Sequence, residues 1–299
     1  MMKINSVGMI GLGVLGSAIA PNILKSGVQL LVNDIDRDKV NSITNDNIIG
    51  IDSITELCKK SDIIITCLPS TNALESVVEE IAESISNPLV IEISTLSLKD
   101  KLRAKDRLKG SDIEMLDCPV SGNRIAALAS ELTAFCSGSE ETFSKINFIL
   151  QSFCRETHYV GEFGAGIKTK MCGNILNLVH NAVTAEAIVL AMKSGLDPEL
   201  FHKTISGSFS SSRVFEIRGK LMVDDDYERE GMNFSTPMKD SKIIADHAID
   251  MNCPIPLYQT AMQSYHTAIA HGLYGLDQSA VCKVMEKATN LDRKKIKNK

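Results

Sequence analysis

Apolar residues in the first half of the chain fall in short, unbroken runs. Ser6 to Ile10, Val28 to Asn33, Asp62 to Leu68 and Leu89 to Ile93 each close on a turn or polar residue, the pattern of strands buried on both faces of a sheet. Glu114 to Asp117 and Thr133 to Ser137 predict two more strands, and a helical pattern runs from Gly16 toward Lys25 and Gly27. The spacing then changes. Between Gly164 and Ser194, residues Ile167, Met171, Ile175, Leu178, Ala182, Ala185 and Val189 recur in steps of three and four, which sets them on one stripe of a helix. Gly195 stops it. About 28 residues at ~1.5 Å each span ~42 Å, enough to leave one domain and form the spine of a second. Asp197-Pro198-Glu199 combines an N-cap, a first-turn proline and an acid, so it starts another helix. Ser206 to Ser212 reads as a loop, and Phe234 to Asp250, Pro256 to His271 and Asp277 to Ala288 are helical, with no strand signal among them. An α/β half is followed by an all-α half.

Composition narrows the class. The net charge of −5, with 44% hydrophobic and 23% charged residues over 299 positions, suits a globular protein with two cores and excludes the clustered basic face a nucleic-acid partner needs. The one basic run, Arg293 to Lys299, reads as a solvated tail. No run approaches the ~18 consecutive apolar residues of a membrane span, so no membrane partner is expected. Eight cysteines form no CxxC pair and six histidines no HExxH spacing, so no metal is expected. Most of the cysteines sit in apolar contexts, as reduced core residues do. The opening, MMKINSVGMIGLG, runs straight into a strand, and the expected compartment is cytoplasmic.

Chemistry enters at the strand ends. After the first strand comes Gly11-Leu12-Gly13-Val14-Leu15-Gly16 and then a helix. In that context the first glycine permits a tight turn, the second lets backbone approach a pyrophosphate, and the third lets helix pack on strand. The diphosphate would sit at the helix's positive end. Asp34 closes the second strand, about the ~20 residues on where an acid accepts the ribose hydroxyls and repels a 2′-phosphate. NAD is therefore favoured over NADP, with Asp36 a competitor for the role and Arg37 a counter-signal. Leu68-Pro69 and Ser94-Thr95 end the next two strands and would flank a cofactor lying off their carboxyl ends. Ser121-Gly122-Asn123 precede a small-residue helix, a turn whose amides could take an anion. Lys170 and Asn174, four apart on the long helix, face the same way. The architecture is a Rossmann-type doubly wound sheet followed by an all-α C-terminal domain joined by a long interdomain helix. The division falls at 1–163, the cofactor domain, and 164–299, the substrate and dimerisation domain.

Taken in order, these motifs resemble those of the β-hydroxyacid dehydrogenases, the family of 3-hydroxyisobutyrate dehydrogenase and tartronate semialdehyde reductase, related to 6-phosphogluconate dehydrogenase. The likeness runs over nearly the whole chain. The family's GLGxMG appears as GLGVLG, its leucine-proline strand end as CLPS, its Ser-Thr pair as Ser94-Thr95, its DAPVSGG as DCPVSGN, its GxGxxxKxxxN as Gly164 to Asn174, and a late Lys-Asp pair as Lys239-Asp240. The resemblance implies hydride transfer between a nicotinamide and a small β-hydroxy acid, with Lys170 as the base that takes the hydroxyl proton, or returns it in reduction. It implies Asn174 orienting the lysine or the substrate hydroxyl, Ser121, Gly122 and Asn123 holding the carboxylate, and Lys239 near the nicotinamide. A homodimer or homotetramer is expected. The departures are Asn123 for the second glycine, Ser130-Glu131 for Gly-Thr, and Gly173 for the first of two asparagines. Two other readings are a non-catalytic NAD-binding module, disfavoured because Lys170 and Asn174 are both present, and imine reduction on the same fold.

Overall fold

Strands and helices follow one another through the described residues of the first part of the chain because apolar runs and capped amphipathic segments alternate there. The computed structural model describes residues 4–229 and 233–296. In order, the first part holds β1 (Ser6–Ile10), α1 (Gly16–Ile23), β2 (Gln29–Asn33), α2 (Arg37–Ile43), β3 (Ile48–Gly50), α3 (Ile54–Lys60), β4 (Ile63–Thr66), α4 (Thr71–Ala82), β5 (Leu89–Glu92), α5 (Leu98–Lys109), β6 (Met115–Asp117), β7 (Val120–Ser121), α6 (Arg124–Leu128), β8 (Leu132–Cys136), α7 (Glu140–Leu150) and β9 (Cys154–Tyr159). There follow α8 (Ala165–Lys193), α9 (Pro198–Ile205), α10 (Arg213–Asp224), α11 (Ser235–Asp250), α12 (Pro256–Ala270), α13 (Val281–Ala288) and α14 (Arg293–Ile296). They form two compact units, residues 1–170 and 171–299, divided within α8; the sequence reading puts the boundary at 163/164.

In the first unit a six-stranded sheet runs β3-β2-β1-β4-β5-β6, and every pairing in it is parallel. Successive side chains go to opposite faces, as the pleat requires. Val7 and Met9, Leu30 and Val32, and Ile63 and Ile65 join one core, while Ile10, Leu31 and Ile64 join the other. The order reverses between β1 and β4, so the glycine turn after β1 lies at the switch point where ligands of such sheets bind. Serine caps start the covering helices, with Ser53 accepting from Glu56 N, Ser70 from Ala73 N and Ser97 from Asp100 N. A second sheet, β7-β8-β9, pairs antiparallel and then parallel. Strand β9 is not legible from patterning: CRETHY is largely polar and only Cys154 in it is buried.

The second unit is helical throughout its described residues. On α8 the expected stripe is buried at Met171, Leu178, Ala182, Ala185 and Val189, whereas Ile175 is half-buried. Asn181 Nδ2 donates to Tyr265 Oη at 2.8 Å and Tyr265 Oη donates to Leu178 O at 3.1 Å, tying α8 to α12. Asp197 caps α9 as expected. Helix α10 was not foreseen: Ser212 caps it, and Gly219 lets it close on His202, whose Cδ2 would lie 2.9 Å from an added Cβ.

One expectation is corrected here. Arg293 is no solvated tail residue: it ion-pairs with Glu286 and donates to Met222 O and Val223 O at 2.7 and 3.0 Å. Residues 297–299 of that run, and 1–3 at the opening, lie outside the described residues. Helix α8 is, by length and composition, apolar enough to cross a membrane, although its apolar residues form no long consecutive run. Half of its most apolar window is buried inside the protein, and its buried Asn181 is hydrogen-bonded, as in a core helix.

Candidate active site

The carboxyl ends of β1, β2, β4, β5 and β6 carry the cofactor and substrate motifs. Gly11 has φ +97, and a Cβ there would lie 2.3 Å from Cys67 O; one on Gly16 would lie 2.0 Å from Gly11 O. Both glycines are demanded by close backbone approach. Gly13 meets nothing within 4 Å, so the outer side of the turn is open to a ligand. Leu12 and Leu15 turn their side chains to the core, while Val14 is half-exposed. An open turn at the N-terminus of α1 with an acid beside it fits a dinucleotide.

That acid is Asp34. Its Oδ2 accepts from Leu12 N at 2.6 Å and its Oδ1 from Asp36 N at 2.9 Å, which fixes the carboxylate against the glycine turn. Asp36 instead caps α2, accepting from Asp38 N. Arg37 is ion-paired with Asp52, and Lys39 lies 3.8 Å from Asp34 and 3.5 Å from Asp36. Leu68 N donates to Ser94 Oγ at 2.7 Å, so the β4 and β5 ends are joined, with Leu68 buried, Pro69 exposed and Thr95 half-buried.

The substrate loop departs from expectation in detail. Ser121 is paired with Thr133 in the second sheet. Gly122 has φ +139, and Leu132 Cδ2 lies 2.4 Å from where its Cβ would be. Asn123 does not aim its side chain at an incoming ligand: Oδ1 accepts from Ala126 N at 2.9 Å and caps α6. The expected open helix N-terminus is thus partly taken. Ser130, where the family has glycine, adopts φ +57 and is held by Lys25 Nζ at 2.8 Å and Ser152 O at 3.0 Å.

Lys170 and Asn174 are both buried, 8% and 7% exposed, one turn apart on α8. Asn174 Nδ2 donates to Asp240 Oδ2 at 2.8 Å, and Lys239 Nζ lies 3.6 Å from Asp240 Oδ1. The Tyr258 hydroxyl is buried with no hydrogen-bond partner among the described residues; burial and then the Asp240 charge raise its pKa.

Sequence reasoning missed three residues here. Arg124 donates to Val14 O at 3.0 Å and Ser17 Oγ at 3.1 Å, linking the substrate loop to the glycine turn. Lys101, fully buried, lies 2.6 Å from Asp117 Oδ1 and 2.5 Å from Glu92 Oε2. Burial opposes its charge, but Asp117 and Glu92 outweigh it and hold the ammonium pKa above the ordinary lysine value. Glu92, an acid at the end of the apolar run LVIE, was the available signal, because a buried carboxylate needs a partner.

These features define a dinucleotide-binding oxidoreductase. Residues 6–161 match the NAD binding domain of 6-phosphogluconate dehydrogenase, and 164–285 match the NAD-binding domain of NADP-dependent 3-hydroxyisobutyrate dehydrogenase. The chain is 30% identical over 296 residues to 2-(hydroxymethyl)glutarate dehydrogenase of Eubacterium barkeri, covering 97% of this chain and 98% of that one. It is 27% identical over 289 residues to L-threonate dehydrogenase of Escherichia coli strain K12, covering 95% of each. The crystal structure of 3-hydroxyisobutyrate dehydrogenase from Salmonella typhimurium superimposes with a TM-score of 0.82 at 27% identity, over 94% of this chain and 99% of that one. The chain belongs to the β-hydroxyacid dehydrogenase family, whose members are nicotinamide-dependent oxidoreductases. An imine reductase from Pseudomonas sp., at 17% identity and a TM-score of 0.60, shares the fold alone.

Proposed function

We propose that the protein is an NAD-preferring dehydrogenase of a small β-hydroxy acid, with Lys170 exchanging the hydroxyl proton. The observation that carries this is the buried Lys170 and Asn174 pair, one turn apart, with Asn174 held by Asp240 at 2.8 Å. Committing the amide nitrogen to Asp240 leaves Oδ1 as the end that accepts from an ammonium or a substrate hydroxyl. Bound on the glycine turn, the nicotinamide dinucleotide supplies the hydride acceptor or donor. Lys170, neutral, takes the proton from the hydroxyl; as the ammonium it returns one to the oxygen in reduction. Ser121 and the amides of Gly122 and Asn123 hold the carboxylate, with the Asn123 side chain turned aside onto Ala126. The resemblance assigns Lys239 a contact with the nicotinamide.

Asp34 supports NAD, being oriented by Leu12 and Asp36 to accept from ribose hydroxyls, while Arg37 is engaged by Asp52. Ile35, wholly exposed beside it, offers an aliphatic face to the adenine. The relatives named for 2-(hydroxymethyl)glutarate, threonate and 3-hydroxyisobutyrate support a hydroxyl near a carboxylate as the substrate class. Eight free cysteines suit a reducing, cytoplasmic compartment. Leu176, Val183 and Leu190, 58%, 50% and 67% exposed at intervals of seven on α8, support a homodimer or homotetramer.

The test is turnover with NAD and NADP against 3-hydroxyisobutyrate, serine, glycerate, threonate, 4-hydroxybutyrate and 2-(hydroxymethyl)glutarate, with Lys170→Ala alongside. The wild type should turn over at least one acid faster with NAD. Lys170→Ala should fold and bind NAD but lose about 10²- to 10⁴-fold in kcat; full turnover by that variant would sink the assignment.

A further inference from the structure

Beneath the strand ends lies an ion network with every charged member fully buried: Lys101, Glu92 and Asp117 are each 0% exposed. None of the three is required by the chemistry above. We propose that Asp117, clamped by Lys101, is a positioning residue for Lys170, seating the helix that carries the lysine against the strand that opens the substrate loop. The proposal rests on the acid–base reading of Lys170.

Asp117 uses its two oxygens differently. Oδ1 lies 2.6 Å from Lys101 Nζ, while Oδ2 accepts the Ile167 N–H at 2.8 Å and the Ser137 hydroxyl at 3.1 Å. Ser137 Oγ in turn accepts the Gly166 N–H at 2.9 Å. Two first-turn amides of α8, otherwise without helical partners, therefore end on Asp117 or on the serine it holds. Lys170 follows within a turn. A helix is stiff over one turn, so a displacement of Gly166 or Ile167 passes to Lys170 almost undiminished.

Gly166 shows how close the seat is. A Cβ there would fall 2.4 Å from Phe135 O and 2.7 Å from Asp117 O, both backbone atoms. Asp117 is also the last residue of β6 and the first of DCPVSGN. One carboxylate thus sets both the helix bearing the proton carrier and the loop proposed to hold the substrate carboxylate. The other arm reaches the cofactor side: Glu92 Oε1 accepts the Ser94 N–H at 2.8 Å, and Ser94 Oγ accepts the Leu68 N–H at 2.7 Å. Two carboxylates against one ammonium leave a net negative charge, which the positive end of α8 offsets. Apolar side chains often match a buried ion group in stability; a charged clamp adds direction, which packing alone does not.

The test compares Gly166→Ala, Ser137→Ala and Asp117→Asn with Lys170→Ala, reading melting temperature, cofactor Kd by calorimetry, and kcat and KM separately. Lys101→Met would strand two buried carboxylates, so the milder Ser137→Ala serves as the variant that must fold. Gly166→Ala and Asp117→Asn should lose about ten- to hundredfold in kcat, and Ser137→Ala roughly three- to tenfold, the scale of a sub-ångström to one-ångström misplacement. Cofactor Kd should stay within about threefold, and KM should move less than kcat. Folded Gly166→Ala and Ser137→Ala with wild-type kcat, whatever their melting temperatures, would overturn the proposal. If Gly166→Ala fails to fold, Ser137→Ala decides alone. Should Lys170→Ala keep its turnover, the acid–base reading fails and this proposal with it; loss there beside unchanged kcat in the others overturns this proposal only.

Discussion

Arg37 shows how one ion pair bears on cofactor choice. An arginine just beyond the acid proposed to bind the ribose could clamp a 2′-phosphate, yet here its guanidinium is held by Asp52, an acid 15 positions along the chain that no local motif connects to it. Asp52→Ala should release Arg37 and raise NADP use relative to NAD roughly tenfold in kcat/KM, the worth of about one charge-assisted hydrogen bond. Steady-state kinetics with both cofactors would check it; an unchanged ratio would mean that Arg37 does not reach the ribose. Asn123 carries the same lesson. As a residue type it puts a side chain in the loop, but its Oδ1 accepts from Ala126 N and caps α6.

At the scale of elements, α8 combines a strong local pattern with one weak point. Gly173 is exposed, and nothing lies within 4 Å of where its Cβ would be, so its effect is that of glycine in an open helix interior. Gly173→Ala should stabilise the protein by about 0.5–1 kcal/mol, seen as a melting temperature higher by about 2 °C. A lower melting temperature would show that this face of the helix is covered. Gly166, seven residues earlier on the same helix, is the contrary case, because backbone oxygens occupy the space an alanine needs. Sequence alone does not separate the two.

For the whole molecule, the row Leu176, Val183 and Leu190 leaves apolar area on the longest helix, as expected of a surface that meets another copy of the chain. Val183→Asp with Leu190→Asp should reduce the assembly to monomers in sedimentation velocity, with kcat per chain changed little if each copy holds a complete site. A wild-type protein that sediments as a monomer would remove this reading. The carboxy-terminal end also has a role at this scale: Arg293 locks onto the last carbonyls of α10 and onto Glu286, where its local sequence suggested only a solvated charge.

Patterning and spacing were enough for the parallel strands β1, β2, β4 and β5, the glycine turn, the length of α8 and the helical second unit among the described residues, because each depends on residues near in sequence: unbroken apolar runs, a 3.6-residue period, caps and glycines. Lys170 stands out as a candidate through its register with the other motifs. Tertiary structure alone decided what depends on partners far along the chain: Arg37 with Asp52, Arg293 with the end of α10, the polar strand β9, and the Lys101, Glu92 and Asp117 network. A charged residue looks solvent-seeking in sequence until folding supplies its counter-charge, as Glu92 and Asp117 do for the buried Lys101.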